Sequence, residues 1–147
     1  MRRDVYTHGH QPAVVDQHAQ RTAETSAGFL LPHLNDSMRI LDVGCGPGSI
    51  TAGLTRYVLN GEVVGIEVAP GVLETARRHC AKAGVDNVTL REASVYDLPF
   101  DHGSFDVAYA HQVLQHLTDP VAALCEMRRV VGHGGLIAVR DSDYYTM

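Results

Sequence analysis

No Cys-x-x-Cys pair occurs in this chain of 147 residues, and its three cysteines, Cys45, Cys80 and Cys125, lie far apart. That argues against a thiolate zinc site and against a disulfide framework, and it predicts a reduced, cytoplasmic interior. No apolar signal core follows the start, where Met1-Arg2-Arg3-Asp4 leads into the polar Tyr6-Thr7-His8-Gly9-His10. Apolar runs stop at about five residues, far below the ~20 that span a bilayer. Basic residues are in the minority, 12 Lys+Arg against 17 Asp+Glu for a formal charge of −5. Neither a nucleic-acid surface nor an anionic membrane is therefore the expected partner. Repeats and low-complexity tracts are missing as well.

What is present is ordinary globular material, 45% hydrophobic and 20% charged. A chain of this length makes one domain and buries roughly two-thirds of its unfolded surface. Over residues 12–34, Val14, Val15, His18, Thr22, Thr25, Phe29 and Leu30 recur at steps of three and four, a helical rhythm that Pro32 ends or kinks. Met38 to Val43 then reads as a short apolar strand, halted by Gly44-Cys45-Gly46-Pro47-Gly48. A helix is expected from Ser49 to Asn60-Gly61, with Ile50, Leu54, Tyr57 and Val58 on one face. A second strand covers 62–68, and Pro70 suits the first turn of a helix reaching Ala83-Gly84. Val88-Thr89-Leu90, Phe105 to Ala110 and Gly135 to Val139 supply three more strands, with helical segments at 111–117 and 120–131. Alternation of this kind predicts an α/β fold, a doubly wound, Rossmann-like parallel sheet with helices on both faces.

In such sheets ligands bind beyond the carboxyl ends of the strands. The glycine loop ends the first strand, so it occupies that position. Gly44 and Gly46 permit tight turns and close approach of a ligand to the main chain, and the next helix offers free N–H groups. A dinucleotide fingerprint would need glycine at position 49, where Ser49 stands. Asp42, two residues before the loop, would repel a pyrophosphate and suits a ligand bearing an ammonium group. Glu67, 23 residues past Gly44, closes the second strand where it can accept both hydroxyls of a ribose. A plain strand–helix connection and a solvated strand end are the structural alternatives, but strand, loop, helix, strand and acid stand in the order a nucleoside site requires.

Ile40 to Gly48 resembles the first motif of class I S-adenosylmethionine-dependent methyltransferases. Val95-Tyr96-Asp97-Leu98-Pro99-Phe100-Asp101, Ser104 to Val107, Gln112 to Leu117, Glu126-Met127-Arg128-Arg129-Val130 and Gly134-Gly135 resemble their ubiquinone/menaquinone-biosynthesis, type 11-like branch, a likeness covering about residues 38–140. The resemblance implies that Gly44, Cys45 and Gly46 lie against the methionine portion of S-adenosylmethionine, with Asp42 near its ammonium. It implies that Glu67 holds the ribose hydroxyls, where aspartate is commoner, and that Val68 packs beside the adenine. An acid after strand three usually binds the adenine amino group; here Ser94 takes that place, with the backbone of Val95 next to it. The backbone of His111 is a further implied contact. It also implies strand order 3-2-1-4-5 and an N-terminal helical arm, residues 1–35, that closes over a core at 36–147. Tyr6 and His8 are candidate lid residues of that arm, against the simpler reading of a frayed terminus.

Nine histidines invite a metal, but His8 and His10, or His111 and His116, lack the spacing of a converging ligand set. No metal is expected. His116 either orders the junction after strand four by hydrogen bonding or serves as a general base. The function expected is methyl transfer to a small-molecule acceptor. The alternatives are a methyltransferase-like module that binds the cofactor without turnover, and a nicotinamide-dependent oxidoreductase. The resembled family adds two strands after the fifth, whereas Asp143-Tyr144-Tyr145-Thr146-Met147 follows it here. Leu136-Ile137-Ala138-Val139 would then form an open edge, so the chain is expected to be a fragment or to self-associate, as a homodimer, through that edge.

Overall fold

The computed structural model describes residues 21–143. The arm's Val14, Val15 and His18, its candidate lid residues Tyr6 and His8, and Tyr144 to Met147 all lie outside the described residues. Five parallel strands form one sheet in the order β3-β2-β1-β4-β5. They are β1 (Arg39–Val43), β2 (Glu62–Glu67), β3 (Val88–Glu92), β4 (Phe105–His111) and β5 (Val131–Arg140). The central strands are buried almost throughout, as a sheet covered on both faces requires.

Side-chain alternation divides the core in two. Leu41, Val43, Val64, Ile66, Ala108 and Ala110 point to one face, where α4 (Pro120–Val130) packs Ala123, Met127 and Val130 against them. Ile40, Val63, Val107 and Tyr109 point to the other, against α1 (Ala23–Ser26) and α2 (Ser49–Leu54). On that same side α3 (Pro70–Ala83) sets Leu73 and Ala76 against Cys45 and Leu90. The chain leaves β1 toward β2 and β3, then returns to β4. The sheet's switch point is therefore the gap between the carboxyl ends of β1 and β4.

Besides the stretch after β4, taken up with the site below, three segments differ from the sequence expectation. Within the described part of 12–34, only Ala23–Ser26 is α-helical, opened by a Thr22–Thr25 capping box, and Leu31–His33 is a 3-10 turn around Pro32. Ala23, Ala27 and Leu30 are buried in the core, so this stretch packs as part of the domain body. The helix after the glycine loop stops at Leu54 and tightens into a 3-10 turn at Thr55–Tyr57, where the Thr55 hydroxyl donates to the Ala52 carbonyl at 2.6 Å. Strand β5 begins at Val131, ahead of the expected Gly135. A register shift pairs Phe105 with Val131 but Val107 with Leu136, and this absorbs the glycine-rich stretch. In the described residues β5 has one neighbour, β4, and Leu136 and Ile137 are 38% and 40% exposed. No described helix is long and apolar enough to cross a membrane.

The entry to β2 is a tight crossing, because a Cβ on Gly61 would stand 1.9 Å from the Met38 carbonyl oxygen. Gly71, inside α3, faces open space. Gly61→Ala is expected to lower unfolding free energy by about 2 kcal/mol or more, whereas Gly71→Ala raises it by roughly 0.5 kcal/mol through the unfolded chain. Urea denaturation of the two variants checks both signs.

Candidate cofactor site

The loop after β1 carries Gly44, Gly46 and Gly48 at φ +68°, +55° and +88°, all left-handed. At Gly48 a Cβ would come within 3.0 Å of Ala76 Cα, so the missing side chain lets α2 start flush against α3. At Gly46 a Cβ would meet nothing within 4 Å. The main chain there is bare toward a cavity of about 540 Å³ at the switch point. All ten sequence candidates, Asp42, Gly44, Cys45, Gly46, Glu67, Val68, Ser94, Val95, His111 and His116, stand on the wall of this one cavity.

Glu67 ends β2 and folds back on the main chain. Its Oε1 accepts the Gly46 N–H at 3.2 Å, and its Oε2 accepts the N–H groups of Val68 and Ala69 at 2.9 and 3.1 Å. A carboxylate offers about four acceptor sites. Holding both hydroxyls of a ribose therefore requires Glu67 to release one backbone N–H. Asp42 is buried, with the Thr51 hydroxyl donating to its Oδ2 at 2.7 Å. Burial pushes its carboxyl up to about 7, against the pull of the Thr51 hydrogen bond and with a further push from the Glu67 charge. An acid so placed is readily ionised by an arriving cation.

The remaining candidates differ in what they present. The Cys45 N–H is committed to the Ile66 carbonyl at 2.8 Å, and its side chain packs on Leu73 and Ala76, where burial pushes the thiol up. Val68 is 61% exposed at the rim, an apolar surface suited to a planar ring. Ser94 forms a turn, its Oγ accepting the Tyr96 N–H at 3.2 Å, while Val95 sends its side chain into the core. Tyr109 donates its hydroxyl proton to the Ser26 carbonyl at 2.8 Å, so its 3.4 Å contact with His111 makes the Nδ1 of His111 the donor.

A similar deduction applies at His116. Gln115 Oε1 accepts the Ser142 N–H at 2.6 Å, which turns its NH₂ toward His116 Nε2 at 3.3 Å. An amide NH₂ only donates, so Nε2 of His116 is the acceptor. Among the described residues no group of three or more His, Cys, Asp or Glu side chains is arranged to hold a metal ion.

Sequence reasoning passed over Arg21, Thr51, Tyr96 and Gln112 as site residues. Arg21 is the one Lys or Arg among the described lining residues and donates to Gln112 Oε1 at 3.0 Å. Gln112 is the one described non-glycine residue at positive φ, +52°, where a helical segment had been expected. The segment is instead a turn with a short 3-10 piece at Leu114–His116. The non-glycine positive φ at Gln112 carries no local sequence signal.

A 3-2-1-4-5 parallel sheet with a glycine loop at its switch point and an acid closing β2 defines a Rossmann-like, nucleoside-cofactor-binding domain. Residues 41–139 match the family described as a methyltransferase domain, and the chain belongs to that family. S-adenosylmethionine is the cofactor this membership implies. The uncharacterized methyltransferase C1B3.06c of Schizosaccharomyces pombe is 41% identical over 144 residues, which is 94% of this chain and 52% of the relative. A ubiquinone biosynthesis O-methyltransferase of Cereibacter sphaeroides is 32% identical over 118 residues, 80% of this chain and 47% of that protein. The chain thus spans about half the length of curated relatives it matches. The fold superposes on a crystal structure of a SAM-dependent methyltransferase from Aquifex aeolicus with a TM-score of 0.74 at 22% identity, covering 84% of this chain and 69% of that one.

The raised Asp42 carboxyl gives a pH signature. Its stabilising contribution is complete below the unfolded value of 3.8 and is lost as pH rises through about 7. Asp42→Asn removes this loss, so its melting temperature relative to wild type is expected to climb between pH 5 and pH 8. Melts at four pH values decide it, and a constant difference contradicts the assignment.

Proposed function

We propose that this chain is the S-adenosylmethionine-binding part of a methyltransferase that acts on a small-molecule acceptor. The observation that carries this reading is the constellation of Asp42, the bare main chain at Gly46 and the Glu67 carboxylate around one cavity. Two acids there disfavour a pyrophosphate and favour a cationic ligand. With Ser49 in the third-glycine position and membership of a methyltransferase family, this sets the nicotinamide alternative aside.

When bound, the cofactor supplies an electrophilic methyl group already activated on sulfur. The protein's tasks are then to bind, orient and exclude water. Gly44, Cys45 and Gly46 would lie along the methionine part, with Asp42 toward its ammonium and the Arg21 guanidinium toward its carboxylate. Glu67 would take the ribose hydroxyls. Val68 would cover the adenine, and Ser94 and Val95 would offer dipoles to its edge, with His111 following on the backbone of β4. The largely apolar wall, from Val43 and Ile50 to Val113 and Leu117, suits a small, weakly charged acceptor more than a nucleic acid. The relative named for ubiquinone biosynthesis supports a small-molecule acceptor of that kind. The Gln115 hydrogen bond supports His116 as an organiser of the β4 exit; to serve as a base it must first free Nε2. The exposed Leu136 and Ile137 on β5 support pairing of that edge with a second copy or with further chain. A cytoplasmic setting accords with buried, unpaired Cys45 and Cys80.

Calorimetry with S-adenosylmethionine and S-adenosylhomocysteine tests the reading. Wild type is expected to bind both. Glu67→Ala should weaken each by about tenfold or more, the scale of a hydrogen bond to a charged group. Absence of binding to wild type contradicts the proposal. Transfer of label from methyl-labelled cofactor to a phenolic acceptor separates an enzyme from a binding module.

A further inference from the structure

Helix α4 turns Ala123, Met127 and Val130 to the sheet, which leaves Glu126 and Arg129 along its flank, outside the cavity. Arg129 Nε donates to Glu126 Oε1 at 2.7 Å, and its terminal nitrogens donate to the carbonyls of Phe100 and Leu98, both at 2.8 Å. Glu126 Oε2 accepts the Leu98 N–H at 2.7 Å and a second Arg129 bond at 3.0 Å. Two side chains one turn apart thus hold three backbone groups of Leu98–Phe100. The guanidinium's planar fork is what allows one residue to reach four acceptor atoms. The Arg129 hydrogen bond keeps the Glu126 carboxyl below its usual range, so the clamp is charged at neutral pH.

Anchoring alone does not need this arrangement. Leu98 is 2% exposed, and Phe100 meets Phe105 edge-on at 5.0 Å. What the clamp adds is placement. Strand β3 ends at Glu92, and Ser94, Val95 and Tyr96, which line the cavity, follow it in a turn closed by an isolated antiparallel bridge between Ser94 and Asp97. The amino end of α4 supports the same segment, because the Asp119 N–H donates to the Tyr96 hydroxyl at 3.3 Å while the Asp119 carboxylate caps the helix through Ala122 N–H at 3.0 Å.

We infer that Glu126 and Arg129 are positioning residues for the nucleoside end of the cavity, with α4 as the splint that sets where Ser94–Tyr96 stand. This rests on reading the cavity as the site of a nucleoside cofactor. Among the described lining residues, the stretch Ala93–Tyr96 contributes no carboxylate. Recognition of the base must therefore come from neutral dipoles, whose hydrogen bonds fail over a few tenths of an ångström. Loosening the splint costs base selectivity before it costs binding, since Glu67 and the glycine loop hold the rest of the ligand.

The test compares S-adenosylhomocysteine with its inosine counterpart as calorimetric ligands. Wild type is expected to prefer the adenine compound. Arg129→Lys and Glu126→Gln should each compress that preference about fivefold, the worth of roughly one hydrogen bond. Arg129→Met should compress it further; if that variant does not fold, the two conservative variants carry the comparison. Leu54→Ala, which opens a cavity in the cluster on the opposite face of the sheet, serves as a destabilised control and should keep the wild-type ratio. Unchanged ratios in both conservative variants, or a wild type that binds both compounds equally, would overturn the inference while leaving the cofactor reading intact. A wild type that binds neither compound overturns both.

Discussion

One carboxylate couples the two halves of this site. Glu67 gathers the N–H of Gly46 from the loop after β1 and the N–H groups of Val68 and Ala69 from the approach to α3. Helix α3 has no side-chain cap at Ala69, so Glu67 places the negative charge that its amino end favours. The glycine loop gains a fixed point in return. Three left-handed glycines carry no side chains to anchor this loop, so it is held through its main chain, by the Cys45 N–H on the Ile66 carbonyl and the Gly46 N–H on Glu67. The position of the bare Gly46 main chain, and so the shape of the cavity, depends on that bridge together with the Cys45–Ile66 hydrogen bond beside it.

The second constraint is electrostatic. Asp42 and Glu67 face one cavity, and Asp42 is almost fully withdrawn from water. Their mutual repulsion and the burial of Asp42 store unfavourable energy that a cationic ligand relieves. Thr51 offsets part of it by its hydrogen bond, from the first turns of α2 that the loop itself orients. The same few residues thus tie the loop to the sheet and set the charge of the cavity wall.

Much of this was legible in the sequence because the strands are short apolar runs bounded by glycine and polar turns. In a parallel sheet their carboxyl ends fall at one edge, which is why candidates as distant in sequence as Asp42 and His116 share one wall. The departures have physical causes of a different kind. Arg21 reaches Gln112 across 91 positions, and Arg129 reaches Leu98 across 31; no local pattern encodes such pairs. The left-handed Gln112, the broken N-terminal helix and the early start of β5 arise where tertiary packing overrides propensity. Family membership implies the cofactor, and the cavity brings together the residues proposed to hold it.

The most direct measurement is an amide NMR titration of the wild-type chain with S-adenosylhomocysteine. If Glu67 and the glycine loop form the cofactor seat, the largest shift changes fall on Gly44–Gly46, Glu67–Ala69 and Ser94–Tyr96, with Gly46 moving as its hydrogen bond to Glu67 is rearranged. Saturable changes confined to other regions, such as the β5 edge, or no change at millimolar ligand, would contradict the account.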